Sequence, residues 1–343
     1  MKKIAILLPL KERYRKFDAG SVSLFVHNHL LNSVFKKNIK IYGYKIDKPL
    51  DKKKFVRLNS NKFFLTNKSF VNSFILNIDK DTDLIELHNR PKYFAYLKKK
   101  FPQKKFIFFF HNNPDTLLGS RSISEKKYLL KNCNQILFLS QWMKKEFFKD
   151  LNVKNSSNTK VFYPGVNPIK KFPKKKKIIV FIGKLNKSKG YDLFLSATSK
   201  FVFANKDWKG FSIGHESRRD ILPNTFIKEL GTMSNKKVLR FLEKSSIAVA
   251  NSTSKEPLGR LPLEAASRGS FPIVSKRGGL TETISNKFSI LKKNTSDELS
   301  KKLLFLKSNP KKLLSFQKTV FKNFKFTLKK QSALLDEIRK FIL

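Results

Sequence analysis

Two glutamates, Glu256 and Glu264, lie eight positions apart in the stretch EPLGRLPLE. The proline and glycine positions predict a loop that carries Glu256 and a following helix that carries Glu264 one turn inside. The free backbone amides at 258–260 then lie at a helix N-terminus, which attracts anions such as phosphate. A ligand with a phosphate and several hydroxyls could bind these amides and carboxylates together, and a sugar nucleotide has that combination of groups.

A second stretch, FIGKLNKSKGYD, places two cations directly after a predicted strand. Lys184 and Lys189 follow Gly183 in it. Because open parallel sheets bind ligands at the carboxyl ends of their strands, these lysines are placed to bind phosphate. The alternative is coincidence, since any lysine of so basic a chain can lie beside a glycine.

The elements that must position these residues are those of a parallel sheet. Short apolar runs rich in Ile, Val and Phe alternate with longer amphipathic stretches, which is typical of buried parallel strands joined by crossover helices. The first half predicts helices at 21–35, 91–100 and 141–148. Its predicted strands are 3–10, 39–46, 84–88, 105–111, 135–140 and 160–163.

The pattern breaks at YPGVNPIKKFPKKKK, which is rich in proline and lysine. It predicts a linker at 167–176 between a first domain at 1–166 and a second at 177–325. A last helix is predicted at 326–343, at the end of a helical tail that begins at 299. The second domain has predicted strands at 178–183, 210–214, 225–230, 246–251 and 271–275, and predicted helices at 191–199, 235–243, 261–268 and 281–285.

The composition is strongly basic. The 343 residues include 73 Lys and Arg against 25 Asp and Glu, a net charge of +48, while 40% hydrophobic residues argue against disorder. Three explanations remain open: an anionic membrane surface, a nucleic-acid partner, or a compositional bias of the whole sequence. Arginine is the preferred bidentate reader of phosphate and guanine, and it is scarce here. We therefore predict an anionic membrane surface as a partner and no nucleic acid.

Cysteine usage and hydropathy bear on the compartment. Cys133 is the single cysteine, which excludes an intramolecular disulfide and fits a reducing compartment. The start, MKKIAILLPL, has the lysines and apolar run of a signal peptide, but KERYRK follows it, so a first strand is the better interpretation. No apolar run approaches the ~20 residues that span a bilayer. We expect a cytoplasmic protein, soluble or peripheral on the inner face of the cytoplasmic membrane.

Polar residues also follow predicted strands in the first half. His111 ends the run FIFFFH, and Glu86, His88 and Arg90 cluster in DLIELHNRP. A strand-end histidine faces the ligand side of such a sheet, although a hydrogen-bonded structural histidine is the alternative. The second cluster could recognise a sugar or phosphate of an acceptor, or could form a satisfied polar network.

The two motifs together carry a resemblance. The region around Glu256 and Glu264 resembles the E-x7-E signature of the retaining glycosyltransferases of family 4, and FIGKLNKSKGYD is similar to the family's glycine and cation loop. The family often has arginine where this chain has Lys184. The stretch DAGS resembles a small-residue loop of the family that often has paired glycines, of which Gly20 is present. The framework positions shared around the glutamates are Pro257, Gly259, Ala265, Gly269, Pro272, Gly278, Gly279 and Glu282.

The resemblance implies an α/β fold of the GT-B type. Two Rossmann-like βαβ domains would face a cleft, and the C-terminal helix would cross back to the first domain. The implied catalytic residues are Glu256, Lys189, Lys184 and His111. The implied donor-binding residues are Gly20, Gly183, Lys184, Lys189, Glu256, Leu258, Gly259 and Glu264. We assign acceptor binding to Glu86, His88 and Arg90.

The implied reaction is transfer of a hexose from a UDP- or GDP-linked sugar to a saccharide or lipid-linked saccharide, with retention, in lipopolysaccharide or surface-polysaccharide synthesis. No cofactor or metal is expected. The triplet DTD at 81–83 matches a metal-binding pattern of other glycosyltransferases, but it precedes a predicted strand and so lies opposite the ligand side. The alternatives are another GT-B enzyme, a phosphorylase or a sugar-nucleotide epimerase, and a basic nucleic-acid-binding protein.

Overall fold

The protein was analysed as a computed structural model, which describes residues 2–59, 66–217 and 224–343. The chain divides into two compact units. The first comprises Met1–Gly165 together with Leu328–Leu343, and the second comprises Val166–Thr327. The C-terminal segment therefore belongs to the first unit.

The first unit is built on a parallel sheet whose described strands follow the order β3-β2-β1-β4-β5-β6-β7. These strands are β1 Lys3–Leu7, β2 Ile39–Tyr44, β3 Phe55–Leu58, β4 Thr82–His88, β5 Lys105–Phe110, β6 Gln135–Phe138 and β7 Thr159–Val161. The helices are α1 Ser21–Asn32, α2 Asn67–Asn77, α3 Pro91–Lys100, α4 Ile123–Asn132, α5 Gln141–Phe148 and, from the C-terminus, α11 Leu328–Ile342.

The second unit repeats the design, with described strands in the order β10-β9-β8-β11-β12-β13. They are β8 Lys176–Ile182, β9 Lys209–Ile213, β10 Ile227–Glu229, β11 Ser245–Ala250, β12 Phe271–Ser275 and β13 Ile290–Leu291. The helices are α6 Tyr191–Ala204, α7 Asn235–Lys244, α8 Arg260–Ser267, α9 Ser296–Ser308 and α10 Pro310–Lys322.

Both sheets reverse their strand order at one point, which lies between β1 and β4 in the first unit and between β8 and β11 in the second. This is the Rossmann arrangement, in which the loops after the two central strands diverge to opposite faces and leave a crevice at the carboxyl edge. The α/β fold predicted from the sequence is confirmed. The loops after β1, β4, β8 and β11 are therefore where ligand contacts belong.

Buried apolar strands explain why the sheets form. Residues 106–110 of β5 and residues 247–249 of β11 are fully buried, as expected for central strands covered by helices on both faces. The strands predicted at 105–111 and 246–251 correspond to these two, with ends displaced by one residue. The chain also forms β3, β13, α2 and α4, which were not predicted, whereas 281–285 forms turns instead of the predicted helix.

The segment predicted as a linker, 167–176, lies in the second unit and is bonded to it. Lys175 Nζ donates to the carbonyl oxygens of Leu242, Glu243 and Arg268 at 3.0, 2.9 and 2.6 Å. These carbonyls belong to the C-terminal ends of α7 and α8, where the helix dipole also favours a positively charged group. Arg268 in turn donates to the carbonyl of Asn167 at 2.5 Å.

Candidate active site

The loops after β8 and β11 meet at the switch point of the second unit. Lys189 Nζ lies 2.5 Å from Glu256 Oε1, so the cation of one predicted motif is paired with the first glutamate of the other. The Lys189 side chain is 33% exposed and that of Glu256 is 11% exposed. Two motifs that lie 67 residues apart in the sequence thus form one charged centre at the strand edge where ligands bind.

Ser252 completes this centre. Its hydroxyl donates to Glu256 Oε1 at 2.8 Å, so the oxygen that accepts from Lys189 accepts from Ser252 as well. Ser252 and the preceding Asn251 follow β11 directly, and both are buried. Neither residue was predicted as a site residue, although their polar character at the end of a strand beside the switch point was the available signal.

The loop after β8 is held in shape by the loop after β11. The Ser188 carbonyl accepts from the amides of Thr253 and Ser254 at 3.1 and 3.2 Å. The Asn251 side chain donates to the Gly190 carbonyl at 3.0 Å. Asn186 Oδ1 accepts from the Lys189 amide at 3.1 Å. The backbone that carries Lys189 is therefore fixed by hydrogen bonds within the second unit.

Gly278 fixes the backbone of Glu256 from the other side. The two residues form a parallel bridge, and the Gly279 amide donates to the Glu256 carbonyl at 2.8 Å. Gly278 has a φ of +62°, and a Cβ at this position would overlap the Glu256 backbone. Only glycine combines that conformation with such a close approach.

The predicted helix N-terminus is present as α8. Gly259 is its N-cap residue with a φ of +79°, and no side chain caps this end among the described residues. The first amides of an uncapped helix are unsatisfied donors and carry positive potential. Leu258, 3% exposed, precedes them. The arrangement can therefore accept an anionic group at 258–260.

Glu264 lies within α8 and is 5% exposed. Its Oε1 accepts from Arg260 Nε and Nη2 at 3.1 and 2.8 Å and from Asn235 Nδ2 at 2.9 Å. Within the described part of the chain, Oε1 accepts all the side-chain hydrogen bonds of Glu264. The second oxygen is thus the one that remains for the hydroxyl groups of a ligand.

Lys184 is exposed and, within residues 2–59, 66–217 and 224–343, has no carboxylate partner. It follows Gly183, whose amide donates to the Ile213 carbonyl at 3.0 Å and so keeps the end of β8 against β9. Lys184 and the paired Lys189 thus flank one loop in two different electrostatic states. A free cation can bind an anion directly, whereas a paired one must first exchange its partner.

The switch point of the first unit holds His111 and Asn89. His111 is 8% exposed and follows β5. Asn89 follows β4 with a φ of +56°, which is uncommon for a residue other than glycine. Its Oδ1 accepts from the amides of His111 and Asn112 at 2.7 and 2.9 Å. Asn89 therefore sets the backbone of His111, a role that sequence reasoning missed.

His88 lies behind His111 and is 1% exposed. Its Nδ1 is 2.8 Å from Nε2 of His111, and its ring stacks on Phe109 with a centroid separation of 4.6 Å. Burial, followed by the charges that His111, Arg339 and His29 can carry, holds the pKa of His88 well below its usual value. His88 is therefore neutral, and it contacts His111 directly.

The assignment of Glu86 to an acceptor is corrected by its burial. Arg339 of α11 donates from Nε to Glu86 Oε1 at 2.6 Å and from Nη2 to Oε2 at 3.0 Å. Both side chains are 1% exposed. Because both carboxylate oxygens are occupied, Glu86 anchors the C-terminal helix to β4, which is the polar-network alternative of the sequence analysis.

The other two members of that cluster also differ from a simple acceptor site. His88 is buried, as described above. Arg90 precedes α3, is partly exposed, and donates from Nη1 to the Asn89 carbonyl at 2.7 Å. Arg90 is therefore the member of the trio that a ligand can reach.

Gly20 is the N-cap residue of α1. A Cβ there would overlap the carboxylate of Glu12, whose Oε1 accepts from the Ser23 amide at 2.8 Å. A side chain at position 20 would therefore displace the carboxylate that binds the start of α1. This contact with Glu12 could not be predicted from the residue pattern.

Asp81 and Asp83 flank the beginning of β4. Lys3 and Lys2 pair with them at 2.5 and 3.0 Å. They lie at the amino edge of the strand, opposite the switch-point loops. Over the described residues, no group of three or more His, Cys, Asp or Glu is arranged to hold a metal ion.

None of the described helices combines the length and the apolar character needed to cross a membrane.

Comparison with known proteins gives a match over the second unit. Residues 166–322 match the family model described as glycosyl transferases group 1. Spore coat protein SA of Bacillus subtilis (strain 168) is 27% identical, over 59% of this chain and 62% of that relative. The chain spans about six tenths of the length of the curated relatives it matches.

Solved structures resemble the whole chain. Anabaena Alr3699/HepE in complex with UDP-glucose matches with a TM-score of 0.80 at 13% identity, covering 99% of this chain and 100% of that chain. The apo form of the lipopolysaccharide outer core galactosyltransferase WaaB matches with a TM-score of 0.68 at 14% identity, covering 98% and 99%. Residues 166–322 are therefore similar to a glycosyl transferases group 1 domain, and the chain as a whole has the two-unit GT-B fold.

Proposed function

We propose that the protein is a hexosyltransferase of the family 4 type, which moves a hexose from a UDP- or GDP-linked sugar to a saccharide or lipid-linked saccharide with retention at the anomeric carbon. The observation that carries the proposal is the charged centre of Lys189, Glu256 and Ser252 beside the uncapped start of α8. The family match over residues 166–322 and the UDP-glucose complex of a similar fold support it.

The donor diphosphate would lie against cations and amides. Lys184 and Lys189 would bind its oxygens, together with the backbone amides at Leu258 and Gly259. Fixed cations at this position stabilise the charge that builds on the leaving diphosphate. They supply the role of a metal ion in other transferases, so we expect turnover to survive a chelator such as EDTA.

The carboxylates would bind hydroxyl groups. Glu264 has Oε2 available for the ribose hydroxyls, because its known contacts fall on Oε1. Glu256 would bind hydroxyls of the transferred sugar once Lys189 turns toward the diphosphate. His111 would contact the donor sugar, as the family resemblance implies.

A donor panel tests the reaction. Nucleotide release is measured from UDP- and GDP-linked hexoses with candidate acceptors, for the wild type and for Glu256→Ala. We expect release from one donor that depends on Glu256. The anomeric configuration of the product, read from its proton couplings, should equal that of the donor. An inverted product would exclude the retaining mechanism, and a wild type that neither binds nor turns over any donor would exclude the transferase.

The same panel separates the alternative enzymes. A phosphorylase would release no nucleotide and would instead cleave a saccharide with inorganic phosphate to give a hexose 1-phosphate, and a sugar-nucleotide epimerase would convert the donor without an acceptor. Neither outcome is expected here, since the proposed centre binds an intact nucleotide sugar and transfers its hexose to a hydroxyl.

We further propose that the acceptor is embedded in an anionic membrane, as in lipopolysaccharide or surface-polysaccharide synthesis on the cytoplasmic face. The support is the net charge of +48 and the likeness in fold to a lipopolysaccharide galactosyltransferase. Co-sedimentation with vesicles that contain anionic lipid should be strong at low salt and weak at high salt. Equal binding to neutral vesicles, or tighter binding to duplex DNA at physiological salt, would contradict it.

A further inference from the structure

The contact between His88 and His111 indicates which ring nitrogen of each histidine is protonated. The two nitrogens, Nδ1 of His88 and Nε2 of His111, are 2.8 Å apart, and both rings are buried. At this distance one imidazole donates and the other accepts. Since each neutral ring has one N–H, the direction of this bond fixes the tautomer of both residues.

The direction follows from the other nitrogen of His88. Its Nε2 is buried and, within residues 2–59, 66–217 and 224–343, has no hydrogen-bond partner. If His111 donated, the single proton of His88 would lie on that Nε2, as a buried N–H without an acceptor, which folded proteins avoid most strictly. If His88 donates from Nδ1, the unpartnered atom is a lone pair in an aromatic environment that includes Phe109 and Phe25.

A doubly protonated His88 would still donate from Nδ1 to His111. The surroundings of His88 nevertheless oppose a second proton on its ring. The cation of Arg339 and the rings of His29 and His111 act against a second proton on His88, in addition to burial. The carboxylate nearest to Arg339, Glu86, is already bound by it through both oxygens. His88 is therefore a neutral donor.

We propose that His88 is a positioning residue that donates its Nδ1 proton to Nε2 of His111 and thereby holds His111 as the Nδ1–H tautomer. Toward any ligand at Nδ1, His111 then acts as a hydrogen-bond donor and not as a base. This use in transfer rests on the proposed function, in which His111 contacts the donor sugar. An N–H group of His111 at that point would orient a sugar hydroxyl or stabilise negative charge by donating a hydrogen bond. This role suits a transferase that does not use a histidine as a base.

The tautomer is tested without activity. The wild type, labelled with ¹⁵N at its five histidines, is studied near pH 7.5 by two-bond ¹H–¹⁵N correlation, which distinguishes protonated from unprotonated ring nitrogens. His88→Asn and His111→Asn assign the two rings. We expect both His88 and His111 to be protonated on Nδ1 and unprotonated on Nε2. Protonation of His111 on Nε2 would overturn the proposal.

The role in transfer is tested by a matched pair of variants. His88→Asn keeps an N–H donor near the position of Nδ1, whereas His88→Phe keeps an aromatic ring on Phe109 and removes the donor. We expect His88→Phe to lower kcat about tenfold with little change in KM, and His88→Asn to retain most of kcat. Equal loss in both variants would indicate packing alone and overturn the positioning role.

The two hypotheses fail in different ways. A wild type that turns over no donor would exclude the transferase, while the ¹⁵N spectrum would still decide the tautomer. An active wild type with His111 protonated on Nε2 would exclude the positioning role of His88 and leave the transferase intact.

Discussion

Lys189 and Glu256 form an ion pair in which Lys189 Nζ lies 2.5 Å from Glu256 Oε1. Under the proposed function each of them would bind part of a nucleotide sugar, so donor binding would have to separate the pair. Ser252 donates to the same oxygen of Glu256 and would keep the carboxylate in place once Lys189 turned away. Donor binding would then be an exchange of partners within this centre.

Loss of the cation should weaken donor binding. Hydrogen bonds to charged groups contribute about 1.5–3 kcal/mol, so Lys189→Ala is expected to raise the dissociation constant for the donor or its nucleoside diphosphate about 10- to 100-fold. Calorimetric titration measures it. Lys200→Ala removes an exposed lysine of α6 and controls for net charge. Binding by Lys189→Ala within twofold of the wild type would contradict this exchange.

The backbone of Glu256 should be as important as its charge. Gly278→Ala adds a Cβ that overlaps the Glu256 backbone, whereas Gly231, with a similar φ of +65°, has nothing within 4 Å of the added atom. Gly231→Ala should cost about 1–2 kcal/mol of backbone strain alone. We expect Gly278→Ala to lose clearly more stability and most donor affinity, measured by urea unfolding and titration. Equal effects of the two variants would exclude the close approach as the cause.

Whether an element could be predicted from the sequence depends on how much of its conformation is set by neighbouring residues. Strands β8 and β11, which precede the loops of Lys189 and Glu256, were predicted because buried parallel strands are continuous apolar runs, as in residues 247–249 of β11. Strand β13 is only two residues long, and residues 281–285 form turns although they can be read as helical. In such short segments the local pattern is weaker than the tertiary context.

The site residues divide in the same way. Motifs with fixed spacing, such as Glu256 and Glu264, could be found from sequence because their helix and loop are local. The partners of Glu86 and Gly20 could not, because Arg339 and Glu12 reach them only through the folded chain. A strand-end carboxylate in an open chain gives no indication that an arginine 253 residues later occupies both of its oxygens.

The pair of Glu86 and Arg339 should dominate the stability of the first unit. Arg339→Met leaves the Glu86 carboxylate buried without a partner, which is expected to cost about 3–5 kcal/mol. Urea unfolding can be followed by Trp142 of α5 in a Trp208→Phe background, because the second tryptophan lies in the other unit. Lys340→Met, at the exposed neighbouring position, is the control and should change stability little. Similar unfolding of the two variants would show that the buried pair contributes no net stability.

Acid should destabilise the first unit through His88. Its pKa is well below the usual value in the folded protein and returns to about 6.5 on unfolding, so below pH 6.5 the unfolded chain binds the extra proton. Stability is then complete above pH 6.5 and is lost as the pH falls, by up to about 1.4 kcal/mol per pH unit. Unfolding monitored by Trp142 from pH 7.5 to 5 measures the slope. His88→Asn should reduce it, and an unchanged slope would exclude His88 as the titrating group.

Asn89 should control both folding and the position of His111. Asn89→Ala keeps an unfavourable positive φ, which costs about 1–2 kcal/mol, and removes the acceptor for two amides. Asn89→Asp keeps an oxygen in place, and Asn89→Gly removes the strain without restoring the acceptor. We expect the stability measured by urea unfolding to be highest for Asn89→Asp, lower for Asn89→Gly and lowest for Asn89→Ala. A glycine variant as stable as the aspartate variant would show that the side-chain acceptor adds no net stability beyond the cost of the positive φ.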